Sequence, residues 1–277
     1  MHLHTHYSDG ADAPEGVVRR AAERGMGALA ITDHDTVAGL AEAAEAARNS
    51  ALAFLNGVEI TSCLEHLEIH VVGLGIAPES SHLRQLLDAQ AQGRIARLHA
   101  IAEKLHSLGI ALVPEPVTAR TVGTVGRMHI AQELRDAGVV RSVQEAFDRY
   151  IGRGKPAFVP SSRVPVEEAL DAIHAAGGLA FVGHPGLGGV RKQLARLLTF
   201  PFDGIEAYHS RHKPGHVEEF IQLAGEKGLL ISGGSDCHGR AKGRRPLLGA
   251  VRVPGEHYAA IRDALRGQMP CQPDEQR

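Results

Sequence analysis

The stretch "PVEEALDAIHAAGGLAFVGH" (Pro165–His184) decides the fold class. Its first half has the apolar spacing of an amphipathic helix, a glycine pair ends that helix, and "LAFVG" is a short apolar strand. The same order continues with helix "VRKQLARLL", strand "FDGIEAYH", helix "GHVEEFIQLAGEKG", strand "LLISGGSD" and a last helix near "EHYAAIRDAL". Strands that alternate with helices predict a parallel sheet with right-handed crossovers.

The amino-terminal part repeats this alternation. The opening "MHLHTHYSDG" predicts a strand, "APEGVVRRAAERG" a helix, "ALAIT" a strand, residues 37–48 a helix, and "ALAFLNGVEITS" and "HLEIHVVGLG" two strands. Roughly seven such strands favour an α/β barrel. Residues 82–155 contain helical patterns and no strand pattern. We therefore predict a barrel formed by residues 1–81 and 156–277, with a helical insertion at 82–155 that caps the substrate site.

Charge and cysteine content exclude several classes of protein. The formal net charge of the 277 residues is -2, so no global attraction to nucleic acid or membrane is expected. The insertion, however, holds 11 Lys or Arg and 7 Asp or Glu. Cys63, Cys237 and Cys271 form no C-x-x-C pair, and no apolar span or leader is visible. We expect a cytoplasmic protein with no membrane contact and no obligate protein partner.

Histidines and carboxylates fall where the predicted strands end, which is where parallel barrels place working groups. A single buried histidine is ordinarily just hydrogen-bonded, but a whole set at corresponding positions favours a metal site. The candidate ligands are His4, His6, Asp9, His34, Glu59, His70, His184, Asp236 and His238. Nine such groups suffice for two or three divalent ions, and imidazole with carboxylate suits Mn, Fe or Zn. His2 shares the strand face of His4 and His6 but is expected outside the ligand set.

Six motifs carry a resemblance to a known family: "HLHTHYSDG", "LAITDHDTVAGL", "NGVEIT", "HLEIHVVGLG", "FVGHPG" and "GSDCHG". Together they resemble the PHP (polymerase and histidinol phosphatase) superfamily of metal-dependent phosphoesterases, and most closely its TrpH-like branch. The resemblance covers nearly the whole chain. It implies a distorted seven-stranded TIM-like (βα) barrel with a helical insertion and a metal cluster.

The resemblance also implies a distribution of the ligands. His4, His6, Glu59 and Asp236 would hold one metal, Glu59 with His70 and His184 a second, and Asp9, His34 and His238 a third. Glu59, Asp236 and His238 are the residues expected to be essential to catalysis. The sequence departs from the family where His2 replaces the usual aspartate and where the segment before Asp9 is about two residues shorter.

The expected reaction is hydrolysis of a nucleotide phosphate ester by a metal-activated hydroxide. The substrates would be nucleoside 3',5'-bisphosphates or short RNA ends, since Arg127 and Lys155 match basic positions that contact the nucleotide in TrpH-like proteins. His209, at the end of a strand, is a further candidate for substrate binding. For Arg127 and Lys155 the alternative is a solvated helix face. The basic run "GRAKGRR" (239–245) is either a phosphate clamp or an exposed loop.

Three other functions remain open at this point. A phosphatase for histidinol-phosphate-type metabolites would use the same cluster. An amidohydrolase would also use an H-x-H motif, although that group generally needs a lysine at a strand end and none is found there. A metal-binding module without catalytic activity would bind ions and hydrolyse no ester.

Overall fold

The computed structural model describes residues 1–161, 163–240 and 247–268. Its strands are β1 (Ala28–Ile31), β2 (Ala53–Leu64), β3 (Leu67–Leu74), β4 (Val164–Pro165), β5 (Leu179–Val182), β6 (Gly204–His209) and β7 (Leu230–Gly234). They form one sheet in the order β1-β2-β3-β5-β6-β7, and β4 pairs with β2 on the side. The chain is thus a mixed α/β fold with a curled, seven-stranded sheet.

The sheet differs from the predicted parallel barrel in one strand. β3 runs antiparallel to both β2 and β5, whereas the other pairs are parallel. The cause lies between β2 and β3, which only Glu65 and His66 separate. So short a connection joins antiparallel neighbours, because a parallel crossover needs about a dozen residues or more.

The sheet is also an open half-barrel rather than a closed one. β1 and β7 are the two ends of the strand path, and the amino-terminal segment lies between them. The backbone N–H of His4 donates to Cys237 at 3.0 Å, and the N–H of Thr32 donates to Leu3 at 2.9 Å. This segment makes a single bridge, between Leu3 and Cys237, instead of the predicted strand. It nevertheless ties the last strand to the first.

Ten α-helices occur within the described residues. They are α1 (Pro14–Glu23), α2 (Leu40–Arg48), α3 (Ser81–Ser107), α4 (Pro114–Arg120), α5 (Arg127–Asp136), α6 (Val143–Ala146), α7 (Val166–Ala175), α8 (Leu194–Leu197), α9 (Pro214–Lys227) and α10 (Gly255–Gln268). A π-helical turn (Phe147–Ile151) follows α6, and a 3₁₀ turn (Val190–Gln193) precedes α8. None of the described helices has the length and apolar character needed to cross a membrane.

The two halves of the long helix α3 pack into two different apolar cores. The first part of α3 packs Leu83 and Leu87 into the core of the sheet and its covering helices. The second part packs Leu98 and Leu105 against α5 and the residues around it, in a separate core. We call residues 82–155 the cap. Its boundaries stay a prediction, and among the described residues it contains no strand, as the sequence indicates.

Candidate metal centre

One end of the sheet gathers the imidazoles and carboxylates. His2 and His4 come from the amino-terminal segment, His34 follows β1, Glu59 lies in β2, His70 in β3, His184 after β5, His209 at the end of β6, and Asp236 and His238 after β7. His184 and Asp236 have positive φ values of 27° and 50°. Non-glycine residues rarely adopt this conformation, and such strain is found where a side chain must be aimed at a site.

Glu59 is the centre of this group and is 1% exposed. Its Oε2 lies 3.2 Å from His2 Nε2, 3.1 Å from His4 Nε2 and 3.1 Å from His34 Nδ1. Its Oε1 lies 2.6 Å from His70 Nδ1 and 3.1 Å from His184 Nε2. One buried carboxylate therefore faces five imidazole rings, which is the arrangement expected of a ligand shared between cations.

Two further carboxylates extend the group to either side. Asp236 Oδ1 lies 3.0 Å from His4 Nε2, and Asp236 Oδ2 lies 3.5 Å from His209 Nε2. Asp9 Oδ1 lies 3.0 Å from His238 Nε2. Because His4 stacks on the ring of His238 at 4.2 Å between centroids, these contacts form one continuous cluster.

Three sets of residues bring ligand atoms within 4.8 Å of one another. The sets are His2, His4, Glu59 and Asp236; His34, Glu59 and His70; and His4, Asp9, His34 and His238. Within them, His2 Nε2, His4 Nε2, Glu59 Oε2 and His238 Nε2 are buried without a hydrogen bond. Buried polar atoms are costly unless they find a partner, and divalent cations bind imidazole and carboxylate. The donor set therefore fits a cluster of divalent metal ions.

The structure reverses the expected roles of His2 and His6: His2 lies in the cluster and His6 lies outside it. His2 is 1% exposed and faces Glu59, whereas His6 is half-buried, contacts the ring of Tyr7 at a tilt and belongs to none of the three sets. The reason is a turn after Thr5, whose carbonyl accepts the N–H groups of Ser8 and Gly10. A continuous strand would place all three histidines on one face, but the turn removes His6 from it.

The same turn brings Asp9 back to the cluster despite the short segment before it. Asp33, just before His34, holds the turn in place. It accepts the Thr5 N–H at 2.7 Å, the Thr5 hydroxyl at 2.6 Å and the Ser8 hydroxyl at 2.6 Å. Sequence reasoning did not assign a role to Asp33. Two features of the sequence could have indicated one: Asp33 is adjacent to the predicted ligand His34, and the residues that follow are too polar to continue the strand.

The electrostatics of the cluster reflect burial and close contact. Burial lowers the pKa of His34 to about 3. Burial alone would also lower the pKa of His4 and His70, but the carboxylates beside them outweigh it and raise the pKa to about 9 for His4 and about 10 for His70. Burial would raise the pKa of Glu59, yet the surrounding imidazoles hold it well below its usual range. Without cations, protons shared among these groups balance the carboxylate charge, and metal binding would release them.

Glu206 is a further buried carboxylate that sequence reasoning missed. It lies within the apolar strand β6, is 1% exposed, and contacts His2 at 2.9 Å. Strict alternation along β6 would place Glu206 and His209 on opposite faces. A register shift between Glu206 and Tyr208 adds one residue to β6 relative to β7, so both side chains reach the cluster.

A cavity of about 220 Å³ lies between the cluster and the cap. His34, His70 and Asp9 line it from the sheet, and Arg94, Arg97 and Arg127, which we call the arginine wall, line it from the cap. The remaining lining residues are Ser8, Thr61, Glu68, Thr124, Gly126, Met128, Phe147 and Ser161. The candidate site thus places guanidinium groups in the same cavity as a metal-binding cluster, an arrangement suited to an anionic substrate.

The three arginines of this wall are held differently. Arg94 pairs with Asp35, which also accepts the Thr61 N–H at 2.7 Å. Arg97 donates to the Val159 carbonyl at 2.9 Å and to the Ser161 hydroxyl at 3.2 Å.

Arg127 lies over the rings of Phe147 and Phe158, at 5.7 and 5.9 Å from their centroids. Within the described part of the chain, no carboxylate pairs with Arg127 or Arg97. Burial and the neighbouring Arg127 lower the pKa of Arg97 to about 10. These two guanidiniums thus have hydrogen-bond donors to spare.

The other candidates for substrate binding lie elsewhere. Lys155 is exposed and does not line this cavity. His209 is buried beside Asp236, and its Nδ1 accepts the Arg211 N–H at 3.2 Å. Residues 241–245 of the basic run lie outside the described residues, as does Cys271, while Cys63 and Cys237 are free thiols.

Comparison with known proteins identifies the family of this chain. The model of the PHP domain matches residues 1–152. A 3',5'-nucleoside bisphosphate phosphatase of Chromobacterium violaceum is 35% identical over 254 residues, covering 89% of each chain. The Escherichia coli 5'-3' exoribonuclease Rnm is 36% identical over 246 residues, covering 86% of this chain and 84% of Rnm.

A solved structure is similar to this chain in fold and sequence. The crystal structure of a candidate metal-dependent phosphoesterase from Bifidobacterium adolescentis superposes with a TM-score of 0.84 at 30% identity, covering 94% of this chain and 93% of that one. Sequence and fold are thus shared over most of the length of these proteins. This chain belongs to the PHP domain family.

Proposed function

We propose that this protein hydrolyses phosphate esters of nucleotides, with nucleoside 3',5'-bisphosphates or short RNA ends as substrates. The observation that carries the proposal is the cavity lined by a carboxylate–imidazole cluster together with Arg97 and Arg127, two arginines for which the described residues provide no carboxylate partner. The curated relatives support it, because one acts on 3',5'-nucleoside bisphosphates and another is a 5'-3' exoribonuclease.

Two or three divalent ions, of Mn, Fe or Zn, would occupy the cluster. His2, His4, Glu59 and Asp236 would hold the first, His34, Glu59 and His70 with the adjacent His184 the second, and Asp9 and His238 with His4 and His34 the third. His2 replaces His6 in this assignment. When bound, such ions neutralise phosphoryl oxygens and supply the nucleophilic hydroxide that ester hydrolysis needs at neutral pH.

The cluster residues have separate tasks. Glu59 would bridge ligand sets, because each of its two oxygens faces different imidazoles. Asp236 and His238 come from the same segment after β7 and contact both His4 and Asp9, so they would join the first and third sites. His209 would keep Asp236 in place, since it approaches the Asp236 oxygen that does not face His4.

Arg127 and Arg97 would bind a second phosphate of the substrate. Arg94 is less available, because Asp35 already neutralises it. A guanidinium binds phosphate through two parallel N–H donors, and burial strengthens such a contact. Lys155, exposed outside the cavity, would contact only a substrate that extends beyond it, as an RNA would.

The test is a comparison of phosphate release from nucleoside 3',5'-bisphosphates, short 5'-phosphorylated RNAs and nucleoside monophosphates, with elemental analysis of the same preparation. We expect two or three ions per chain and faster hydrolysis of the substrates with two phosphates. A folded protein that binds one ion or none after reconstitution with Mn, Fe or Zn, or that prefers plain monophosphates, would contradict the proposal.

The competing functions fit the cavity less well. A histidinol-type phosphate carries an ammonium group, which the three guanidiniums that line the cavity would repel. None of the seven described strands contains a lysine, which an amidohydrolase of the expected type needs at a strand end. A metal-binding module without activity would not need arginines beside its metal centre. Faster turnover of amino-alcohol phosphates than of any nucleotide would nevertheless favour the first of these.

A further inference from the structure

We infer that Glu206 is a positioning residue that sets the ring tautomer of His2 and so directs His2 Nε2 toward the metal centre. The inference rests on the proposed function, because it assumes that His2 is a metal ligand. Glu206 lies outside the predicted ligand set. Among the three groups of ligand atoms, it contacts only His2.

The contacts of Glu206 divide between its two oxygens. Oε1 lies 2.9 Å from His2 Nδ1, and Oε2 accepts the backbone N–H of His184 at 2.6 Å. Both His2 and Glu206 are 1% exposed, so water cannot replace either contact. One carboxylate therefore joins the amino-terminal segment to the residue that follows β5.

The tautomer follows from hydrogen-bond chemistry. An ionised carboxylate only accepts hydrogen bonds, so His2 Nδ1 must carry the proton that it shares with Oε1. A neutral ring then has its lone pair on Nε2, which lies 3.2 Å from Glu59 Oε2 and 3.8 Å from Asp236 Oδ1. Histidine ligands are commonly oriented in this way by a carboxylate on the other ring nitrogen.

An amide at this position could not do the same. Glutamine has one accepting oxygen and one donating nitrogen, but the site presents two donors, His2 Nδ1–H and the His184 N–H. If the amide oxygen faced His184, its NH₂ group would require His2 Nδ1 as acceptor and would move the ring proton to Nε2. If it faced His2, two donors would meet at His184. The first orientation keeps both hydrogen bonds but places a proton on the ligand atom, and the second loses a buried hydrogen bond.

The chain contains a matched control for a purely structural role. Asp203, just before β6, accepts His174 Nε2 at 2.8 Å and the Ala180 N–H at 2.7 Å, both on one oxygen. It thus links a histidine and the backbone of β5, as Glu206 does, but at the opposite end of the strand. An isosteric amide at Asp203 perturbs the same pair of strands without contacting the metal centre.

The experiment measures metal binding by calorimetric titration of ion-free protein with Mn²⁺ for wild type, Glu206→Gln and Asp203→Asn. We expect a loss of about 10- to 100-fold in affinity for Glu206→Gln, the range found when outer partners of metal-bound histidines are removed. Asp203→Asn should lower the melting temperature while its Mn²⁺ affinity stays within about twofold of wild type. Equal affinities for wild type and a folded Glu206→Gln would overturn the inference and leave the proposed function intact.

A second measurement determines the tautomer in the wild-type protein, and a variant serves only to assign the signals. In Zn²⁺-loaded protein, long-range ¹H–¹⁵N correlations of His2, assigned by their absence in His2→Gln, should show a proton on Nδ1 and none on Nε2. A proton on Nε2 would overturn the inference. Failure of the wild type to bind either ion would instead overturn the proposed function, and the inference with it.

Discussion

The metal centre and the arginine wall of the cap line the same cavity, but they satisfy their polar groups differently. The centre is built from strand ends and from the amino-terminal segment, and several of its buried nitrogens and oxygens have no hydrogen bond. The arginines of the wall have protein partners: Asp35 for Arg94, a carbonyl and a hydroxyl for Arg97, and two aromatic rings for Arg127. The buried polar groups of the centre therefore need cations as partners. The arginines of the wall already have protein partners and keep hydrogen-bond donors for a substrate.

This difference predicts two kinds of variant. Changes at the centre should impair hydrolysis of every substrate, because they remove what all phosphate esters need. Changes at the wall should impair only substrates with a second phosphate. The following predictions test this separation, beginning with the largest expected effect.

Glu59→Gln should abolish turnover of bisphosphates and monophosphates alike. A neutral amide neither bridges two cations well nor offsets their charge, and five imidazoles lose their common partner. The check is kcat/KM for both substrate types, with the exposed Glu218→Gln as control. Activity of Glu59→Gln within a few-fold of wild type would show that this carboxylate is not the bridging ligand.

His2→Ala and His6→Ala should separate the two histidines that sequence alone assigns the other way round. We expect His2→Ala to lose at least about tenfold in Mn²⁺ affinity, because it removes a ring nitrogen 3.2 Å from Glu59. His6→Ala should bind Mn²⁺ within about twofold of wild type, since His6 contacts Tyr7 rather than the cluster. The reverse result would restore the assignment made from the sequence.

Arg127→Ala should reduce kcat/KM for a 3',5'-bisphosphate by roughly tenfold or more, as charge-assisted hydrogen bonds contribute about 1.5 to 3 kcal/mol. The reduction should be much smaller for a monophosphate. Lys155→Ala, an exposed cation outside the cavity, serves as the control and should leave both values nearly unchanged. Equal losses for both substrates would mean that Arg127 supports the centre itself and not a second phosphate.

The stability of the ion-free protein should fall as the pH rises above neutrality. The pKa values of His4 and His70 are raised in the folded protein to about 9 and about 10, so their contribution is fully present below the unfolded value near 6.5 and is lost as the pH passes through those values. We expect the melting temperature without ions to drop by a few degrees between pH 7 and pH 10. The melting temperature of protein loaded with Mn²⁺ should drop less. An equal drop with and without ions would contradict the expectation that the groups that titrate are also the groups that bind the ions.

Much of the fold followed from local patterns. The helical character of residues 82–155, the helices on either side of β5 and the strands β1, β2, β3, β5, β6 and β7 were predicted, because periodic apolar residues and glycine or proline stops are local properties. The predicted first strand is only a bridge, and β4 was not predicted. The antiparallel placement of β3 was not predicted, although the two residues between β2 and β3 signal it. The open half-barrel depends on which strands pair at the ends of the path, and no local pattern specifies that.

The sequence by itself determined the chemistry of the site: which residue types meet, and that strand ends bring them together. His4, Asp9, His34, Glu59, His70, His184, Asp236 and His238 all lie in the cluster, because strand ends in such a sheet converge. The tertiary structure alone decided between His2 and His6, since the turn after Thr5 depends on hydrogen bonds to Asp33, 28 positions away. It also placed Glu206 and His209 in the same cluster, because a one-residue shift between β6 and β7 separates the two side chains along the strand. Both outcomes depend on contacts between distant segments, which the period of a single strand does not contain.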